Sequence, residues 1–290
     1  MALTQFFLSI LKLKGGEKMK IHKLTWVLLM GLLLLSSCST KQPNIYLSAN
    51  AAAVYSVENG EPLYEENADK VMPIASLTKL MTAFLVLEAV DNNELSWDEK
   101  LDLVRLDDPS AVSLYAITQK RTWSVRDLYS AMLTMSANDA AETLGDRLDG
   151  ANFPKEMNNQ AKKLGMSSKT TFVSASGLDV DGKSAVSTTK DLFLLSSKLI
   201  STHPEVLETT SKSSVTTDKG AKLESTNDSL GSIQGLDGLK TGFTDEAGYC
   251  FIGTAERGGR RVISIVLDAG TAEKRFKDTE KLMEVGFKEN

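Results

Sequence analysis

Residues 73–83 read Pro-Ile-Ala-Ser-Leu-Thr-Lys-Leu-Met-Thr-Ala, and the rest of the chain is organised around them. Pro73 precedes a long apolar run with almost no charge. This pattern predicts a helix buried on most of its surface and entered through a proline-fixed turn. Ser76 falls in the first turn, and Lys79 lies three residues on, on the same face. Because burial lowers the pKa of a lysine, the stretch predicts a serine nucleophile activated by a neutral lysine.

The Ser-x-x-Lys pattern is weak on its own, because the chain contains it at Ser9/Lys12, Ser76/Lys79 and Ser187/Lys190. The first copy precedes an export signal. The third is typical of a helix start, since Thr188 and Asp191 are spaced as a capping box. Only the copy at Ser76 begins a long buried helix.

The N-terminal segment predicts export. Residues 19–23 are basic, residues 24–35 are dominated by leucine, and Leu-Ser-Ser-Cys ending at Cys38 resembles the bacterial lipobox. We expect residues 1–37 to be a signal peptide. Residues 1–18 precede a plausible translation start at Met19 and are expected to be an extension that was assigned to the sequence in error. Cys38 is then lipidated and begins a tether over residues 38–50, on the outer face of the bacterial cytoplasmic membrane. An ordinary signal peptide that contains a cysteine remains the alternative, and the protein is then secreted.

Charge and residue counts exclude several function classes. Without residues 1–38 the chain has 28 basic and 37 acidic residues, a net charge of −9, which argues against nucleic acid as a partner. Cys250, in an apolar run, reads as a core residue, and His203 lacks the context of a Ser-His-Asp triad. A zinc site lacks the necessary histidine and cysteine ligands, so we expect no metal and no cofactor.

Strand patterns lie near both ends of the mature chain. Residues 51–56 and 62–65 flank an Asn-Gly turn, and residues 249–255 and 261–267 flank a Gly-Gly turn. The region from Ser76 to about Leu199 is mostly helical, with loops near 91–96, 105–123 and 165–187, and residues 272–287 form a closing amphipathic helix. We therefore expect an α+β fold, with one antiparallel sheet shared by the termini and flanked by helices.

Ser136 and Asn138 form a second candidate site at the junction of two helices, over residues 128–135 and 140–148. The hydroxyl could relay a proton, and the amide could hold a substrate carbonyl or position the lysine. Helix capping by serine and asparagine explains the same residues equally well. The Ser-x-Asn pattern also recurs elsewhere, so it decides nothing alone.

Lys240, Thr241 and Gly242 form a third candidate, in a glycine-flanked strand where a ligand backbone can approach closely. An ammonium beside a hydroxyl suits recognition of a carboxylate. An exposed lysine in a turn is the alternative. The glycine spacing before Lys240 is wrong for a phosphate-binding P-loop.

Taken together, the three motifs resemble the active site of penicillin-recognising serine enzymes, in the same order and at similar separations. The sequence around the motifs closely resembles the low-molecular-weight D-alanyl-D-alanine carboxypeptidases. Two segments carry this resemblance, Ser-Gly-Leu-Asp and Gly-Leu-Lys-Thr-Gly-Phe-Thr-Asp-Glu-Ala-Gly-Tyr-Cys. The resemblance covers about residues 50–287. It implies a β-lactamase/transpeptidase-like fold with a five-stranded antiparallel sheet, and one catalytic domain over residues 51–290.

The resemblance also implies roles for the nucleophile and its neighbours. Ser76 attacks the carbonyl between the last two D-Ala residues of a peptidoglycan stem peptide, and Lys79 takes its proton. The backbone N–H groups of Ser76 and Phe243 form the oxyanion hole. Ser136 passes a proton to the leaving D-Ala, and Asn138 orients the peptide.

The Lys-Thr-Gly motif has the remaining implied role, that of substrate binding. Lys240 and Thr241 hold the terminal carboxylate, within a strand that continues through Gly242 and Phe243. The same site is expected to be acylated by β-lactams, which resemble the D-Ala-D-Ala terminus.

Two departures and two alternatives accompany this resemblance. The chain ends soon after the closing helix, so a β-rich C-terminal domain found in many members is expected to be missing, and residues 105–123 match only loosely. A class A β-lactamase needs a glutamate in a Glu-x-x-Leu-Asn context, which Glu142 lacks, and Ala137 stands where that class has Asp. A non-catalytic cell-wall receptor would keep the cleft without the chemistry.

Overall fold

The structure is a computed structural model, and it describes residues 43–106, 108 and 111–288. In chain order the strands are β1 Ala51–Ser56, β2 Pro62–Glu66, β3 Met72–Pro73, β4 Lys100–Asp102, β5 Thr122–Ser124, β6 Val186–Ser187, β7 Ser214–Thr216, β8 Lys222–Glu224, β9 Leu236–Thr244, β10 Gly248–Arg257 and β11 Arg260–Ala269. The α-helices are α1 Lys79–Asp91, α2 Leu114–Thr118, α3 Val125–Thr134, α4 Asn138–Asp149, α5 Phe153–Lys163, α6 Thr189–Thr202, α7 Val206–Thr210 and α8 Ala272–Phe287. None of the helices within the described ranges is long and apolar enough to cross a membrane.

Five strands form one antiparallel sheet in the order β2-β1-β11-β10-β9. The strand β1 pairs with β11 from Ala51↔Leu267 to Ser56↔Val262, so the two ends of the folded region meet at the centre of the sheet. This confirms the expected α+β fold with a sheet shared by the termini. The strand β9 lies at the edge, paired on one side only, by β10.

The central strands are buried on both faces because alternate side chains enter two different cores. Ala51, Ala53 and Tyr55 join the large cluster that contains α1 and α6, whereas Ala52 and Val54 join the smaller cluster beneath α8. Strands buried on both sides carry no polar face. Small side chains in β1 therefore let helices pack closely on each face of the sheet.

The stretch that opened the sequence analysis forms a short 3₁₀ turn, Ala75–Thr78, which leads directly into α1. Most side chains of α1 are buried, as its lack of charge predicts. The turn packs against the edge strand, because a Cβ added at Gly242 would lie 3.0 Å from the carbonyl oxygen of Ile74. The fold thus brings the start of α1 against the middle of β9.

The expected loop over residues 105–123 is partly wrong. It contains α2, and its end forms β5, which pairs with β4 as a two-stranded sheet. The helix α2 is capped by Ser113, whose side chain accepts a hydrogen bond from the backbone N–H of Ala116. A helix of five residues has too few periodic positions to stand out in sequence.

Candidate active site

Ser76 and Lys79 face each other at the start of α1. Lys79 Nζ lies 2.8 Å from Ser76 Oγ, 2.7 Å from Asn138 Oδ1 and 2.7 Å from the carbonyl oxygen of Ser176. The amide and backbone oxygens can only accept hydrogen bonds. A neutral amine has two N–H groups and one lone pair. With both N–H groups directed to those two acceptors, the lone pair faces the Ser76 hydroxyl.

Burial lowers the pKa of Lys79 to about 7, since its side chain is shielded from solvent in the core. The negative charges of Glu142 and Asp139 act in the opposite direction and raise it. At neutral pH a substantial fraction of Lys79 is therefore uncharged, as a general base requires.

The backbone around Ser76 is held by a loop that precedes β6. Ala75 adopts a left-handed conformation with φ +45°, and a Cβ added at Gly177 would lie 2.1 Å from its carbonyl oxygen. Gly177 itself has φ +85°. In addition, the Thr82 hydroxyl donates to the carbonyl of Ala175 at 2.6 Å, which ties this loop to α1. Only glycine allows so close an approach at position 177.

Asn138 is the first residue of α4, and it joins the site directly. Its Oδ1 accepts from Lys79, and its Nδ2 donates to the carbonyl of Val112 at 3.1 Å. Ser136 is buried two residues earlier, with a left-handed φ of +64°. Within the described part of the chain, no hydrogen bond links Ser136 to Ser76 or Lys79. The asparagine therefore contacts the lysine directly, whereas Ser136 makes no hydrogen bond to it.

Lys240 and Thr241 lie on the edge strand β9, and both side chains are buried. Lys240 Nζ donates to the carbonyl of Thr241 at 2.9 Å, and the Thr241 hydroxyl lies 2.6 Å from that of Thr226. Burial, reinforced by the positive charges of Lys79 and Arg275, lowers the pKa of Lys240 well below its usual value. The alternative of an exposed turn lysine is therefore wrong.

Gly242 and Phe243 continue the strand past the serine. Gly242 contacts the turn that carries Ser76, whereas the Phe243 side chain is exposed and packs on Tyr249 with ring centroids 4.3 Å apart. An edge strand has backbone groups free to pair with an extended peptide. The site therefore lies where the Ser76 turn, the Asn138 helix and the edge strand β9 meet.

The other described Ser-x-x-Lys copy has no such geometry. Lys190 is partly exposed and pairs with Asp69 at 2.7 Å, and the Ser187 hydroxyl lies 2.8 Å from that of Thr170. Thr188 caps α6 by accepting from the backbone N–H of Asp191, as expected of a helix start. The Ser9/Lys12 copy lies outside the described residues.

The structure describes one of the two cysteines, Cys250, whose side chain is buried. Burial raises the pKa of Cys250 to about 12, which keeps its thiol protonated, as expected of a core residue rather than a nucleophile. Cys38, the expected lipidation site, lies outside the described residues.

Two contacts of this site could not be read from the motifs. The carbonyl of Ser176 accepts from Lys79, and Glu142 Oε1 accepts from the backbone N–H of Ser176 at 2.9 Å. Glu142 thus holds the loop around Ser176, and the carbonyl of Ser176 in turn contacts Lys79. Every residue type offers a backbone carbonyl, so side-chain identity could not indicate the role of Ser176. The one sequence signal for it was the Ser-Gly-Leu-Asp segment that begins there.

Comparison with known proteins gives consistent results. A family model described as D-alanyl-D-alanine carboxypeptidase matches residues 37–271. A D-alanyl-D-alanine carboxypeptidase of Bacillus subtilis, DacF, is 28% identical over 92% of this chain and 71% of its own length. Another from Escherichia coli, DacD, is 34% identical over 86% of this chain and 65% of its own length. The chain thus spans about two thirds of these relatives.

Among solved structures, penicillin-binding protein D2 of Listeria monocytogenes in a cefotaxime-bound form is 96% identical. The match covers 85% of this chain and 100% of that one, with a TM-score of 0.84.

Proposed function

Because the chain belongs to the D-alanyl-D-alanine carboxypeptidase family of serine peptidases, we propose that it removes the terminal D-Ala from peptidoglycan stem pentapeptides through an acyl-enzyme on Ser76. The observation that carries this proposal is the buried Lys79 Nζ, which lies 2.8 Å from Ser76 Oγ and contacts two further acceptors, Asn138 Oδ1 and the Ser176 carbonyl. In its neutral form, with its two N–H groups directed to those acceptors, Lys79 would turn its lone pair to the Ser76 hydroxyl.

In the proposed acylation, Ser76 Oγ bonds to the carbonyl carbon of the penultimate D-Ala as its proton passes to Lys79 Nζ. Charge develops on the carbonyl oxygen, where the backbone N–H groups of Ser76 and Phe243 would stabilise it. The C–N bond then breaks, and the amine of the leaving D-Ala takes a proton by way of Ser136. Water next adds to the ester carbonyl, and Ser76 regains its proton as the shortened peptide departs.

The terminal carboxylate would be held by Lys240 and Thr241, with the substrate backbone extended along the edge of β9 past Gly242. A bound carboxylate favours the charged form of a lysine. Substrate binding would therefore restore the charge that burial disfavours in Lys240. Asn138 would contact the peptide from the opposite wall while it holds Lys79.

Mass spectrometry after incubation with benzylpenicillin tests the nucleophile. We expect one stoichiometric adduct on Ser76 in the wild type and none in Ser76→Ala, together with D-Ala release from a pentapeptide by the wild type alone. A protein that binds the peptide without releasing D-Ala is a receptor instead. Rapid steady-state turnover of a chromogenic β-lactam would indicate a β-lactamase.

We also propose export and attachment to the outer face of the bacterial cytoplasmic membrane by a lipid on Cys38, through a tether over residues 38–50. Support comes from the lipobox resemblance and from the cell-wall substrate that the family name implies. Acyl-chain mass spectrometry of the mature N-terminus tests this. A mature N-terminus without lipid would leave a secreted enzyme.

A further inference from the structure

A buried histidine lies among carboxylates at the end of α1 opposite the active site. His203 follows α6, and its side chain is only 3% exposed. Its Nε2 lies 2.9 Å from Glu88 Oε1, and its Nδ1 lies 3.3 Å from Asp91 Oδ2 and 3.7 Å from Glu205 Oε1. The three carboxylates are partly exposed, so the cluster opens to solvent.

The orientation of the imidazole ring is fixed by one face of α1. Phe84 packs edge-on against the ring at 5.4 Å, and Glu88, four residues later, binds Nε2. Asp91 follows on the same face, at the helix end. Because a carboxylate can only accept, Nε2 must carry the proton that it donates to Glu88.

The other ring nitrogen has no hydrogen-bond partner. His203 Nδ1 is buried, and neither neighbouring carboxylate meets it with hydrogen-bond geometry. With the proton on Nε2, an uncharged ring would direct the Nδ1 lone pair at two carboxylates, an arrangement that either a second proton or a metal cation at Nδ1 would relieve. The orphaned nitrogen therefore points to a missing positive charge.

The distances fit a metal ion. Zinc binds histidine nitrogen and carboxylate oxygen at about 2.0–2.2 Å, so neighbouring ligands of a tetrahedral site lie about 3.4 Å apart. The 3.3 and 3.7 Å separations at Nδ1 bracket this value. One ligand atom from each of Asp91, His203 and Glu205 lies within 4.8 Å of the others.

We propose that Asp91, His203 and Glu205 bind a divalent transition-metal ion of the Zn²⁺ class, with water completing the shell. Glu88 orients the histidine from behind, as carboxylates commonly do for metal-binding histidines. Imidazole disfavours Mg²⁺ and Ca²⁺ at this site. The expectation of no zinc site counted histidine and cysteine ligands and gave no weight to carboxylates. This site is independent of the proposed peptidase chemistry.

A bound ion would join elements that are distant in sequence. Asp91 ends α1, whose first residue is Lys79, and Glu205 immediately precedes α7. The helix α7 in turn contacts β9 through the hydroxyl of Thr210, which donates to the carbonyl of Asp237 at 3.0 Å. The ion would thus fasten the far end of the catalytic helix to the support of the substrate strand.

Calorimetric titration of the full chain with ZnCl₂ tests the proposal. We expect one Zn²⁺ per chain, and at least tenfold weaker binding in Asp91→Asn and in Glu205→Gln. Both positions are partly exposed, so these variants should fold. Glu208→Gln removes the same charge three residues from Glu205 at an exposed position, and its affinity should stay within twofold of the wild type.

Spectroscopy identifies the ligands. With Co²⁺ as the probe, we expect visible d–d bands without a thiolate charge-transfer band, which separates this site from cysteine binding. With Zn²⁺, the Nδ1 resonance of His203 should shift, and His22 is the only other histidine to assign.

Three results would overturn the proposal: no Zn²⁺ binding, equal affinity in all variants, or a proton retained on Nδ1 of His203 under excess Zn²⁺. The last would identify an imidazolium clamped by carboxylates. Penicillin labelling of Ser76 should persist in each variant, so failure here leaves the peptidase proposal standing.

Discussion

In the proposed mechanism Lys79 can act as a base only when it is neutral, and its pKa of about 7 puts that change within reach of experiment. We expect the rate of acylation by a fluorescent penicillin to rise with pH through about 7 and to level off above it, since deprotonation creates the base. Stopped-flow measurement between pH 5.5 and 9 checks this. Lys79→Arg, whose side chain stays charged, should show no acylation at any pH. A flat wild-type profile would contradict the assignment.

Asn138 offers a second test at this scale, because its Oδ1 lies 2.7 Å from Lys79 Nζ. In Asn138→Asp a carboxylate replaces the amide, and it should stabilise the charged lysine. We expect the midpoint of the acylation profile to move up by about 1–3 pH units. The substitution also removes the hydrogen bond from Asn138 Nδ2 to the Val112 carbonyl, and thermal denaturation measures any stability lost with it. An unmoved midpoint in a folded variant would exclude close coupling.

Side-chain chemistry at the site could be predicted from sequence, but backbone chemistry could not. Ser76, Lys79 and Asn138 were predicted to share a site, and the structure brings them within hydrogen-bond distance. The carbonyl of Ser176 was not predicted, because the identity of a residue does not reveal where its backbone points. His203 was not predicted to be a metal ligand for a similar reason, since nothing in the sequence places Asp91 beside it.

At the scale of elements, the loop around Gly177 determines how the Ser76 turn is held. Gly177→Ala would drive a Cβ to 2.1 Å from the backbone of Ala75. We expect at least a tenfold loss in acylation rate and about 4 kcal/mol or more of lost stability. Urea denaturation and penicillin labelling measure the two effects.

Gly182→Ala is the matched control. This glycine also has a left-handed φ, +69°, but a Cβ there would meet nothing within 4 Å. Only the conformational cost of about 1–2 kcal/mol should appear, with acylation unchanged. Equal effects of the two substitutions would mean that close packing on the turn is unimportant.

Long elements were easier to predict than short ones. The apolar run of α1 and the two hairpins carry a repeated pattern, and the observed strands β1, β2, β10 and β11 match their predicted places closely. The helix α2 and the β4–β5 pair are too short to show a period. The helix α4 begins at Asn138 rather than at residue 140, because capping residues can lie inside or outside a helix.

At the scale of the whole molecule, the segment just before the first strand is tied to the last helix by one buried carboxylate. Asp278 Oδ2 accepts from the backbone N–H and the hydroxyl of Ser48, at 2.7 Å each, and from the N–H of Ala49 at 3.0 Å. We expect Asp278→Ala to cost about 2–4 kcal/mol, since it leaves these donors unpaired. Glu280→Ala, at an exposed position on the same helix, should cost less than 0.5 kcal/mol.

Equilibrium urea denaturation measures both variants of α8. Equal stability would show that the hydrogen bonds between Ser48 and α8 add nothing to the stability of the fold.

The general arrangement of a sheet built from both ends could be predicted, because strand patterns lie on either side of a helical middle. The order of its strands could not, since hydrophobic pattern does not specify which strands become neighbours.

The pairing of β1 with β11 also affects when the protein can fold. Ala51 meets Leu267 across more than two hundred intervening residues. During synthesis, β2 is therefore the only sheet neighbour of β1 available until nearly all of the polypeptide has been made. Assembly of the sheet is then a late event after synthesis, of the slow kind that distant strand pairing imposes. Any peptidase activity must wait for it, because β9 has no place to dock until β10 and β11 have arrived.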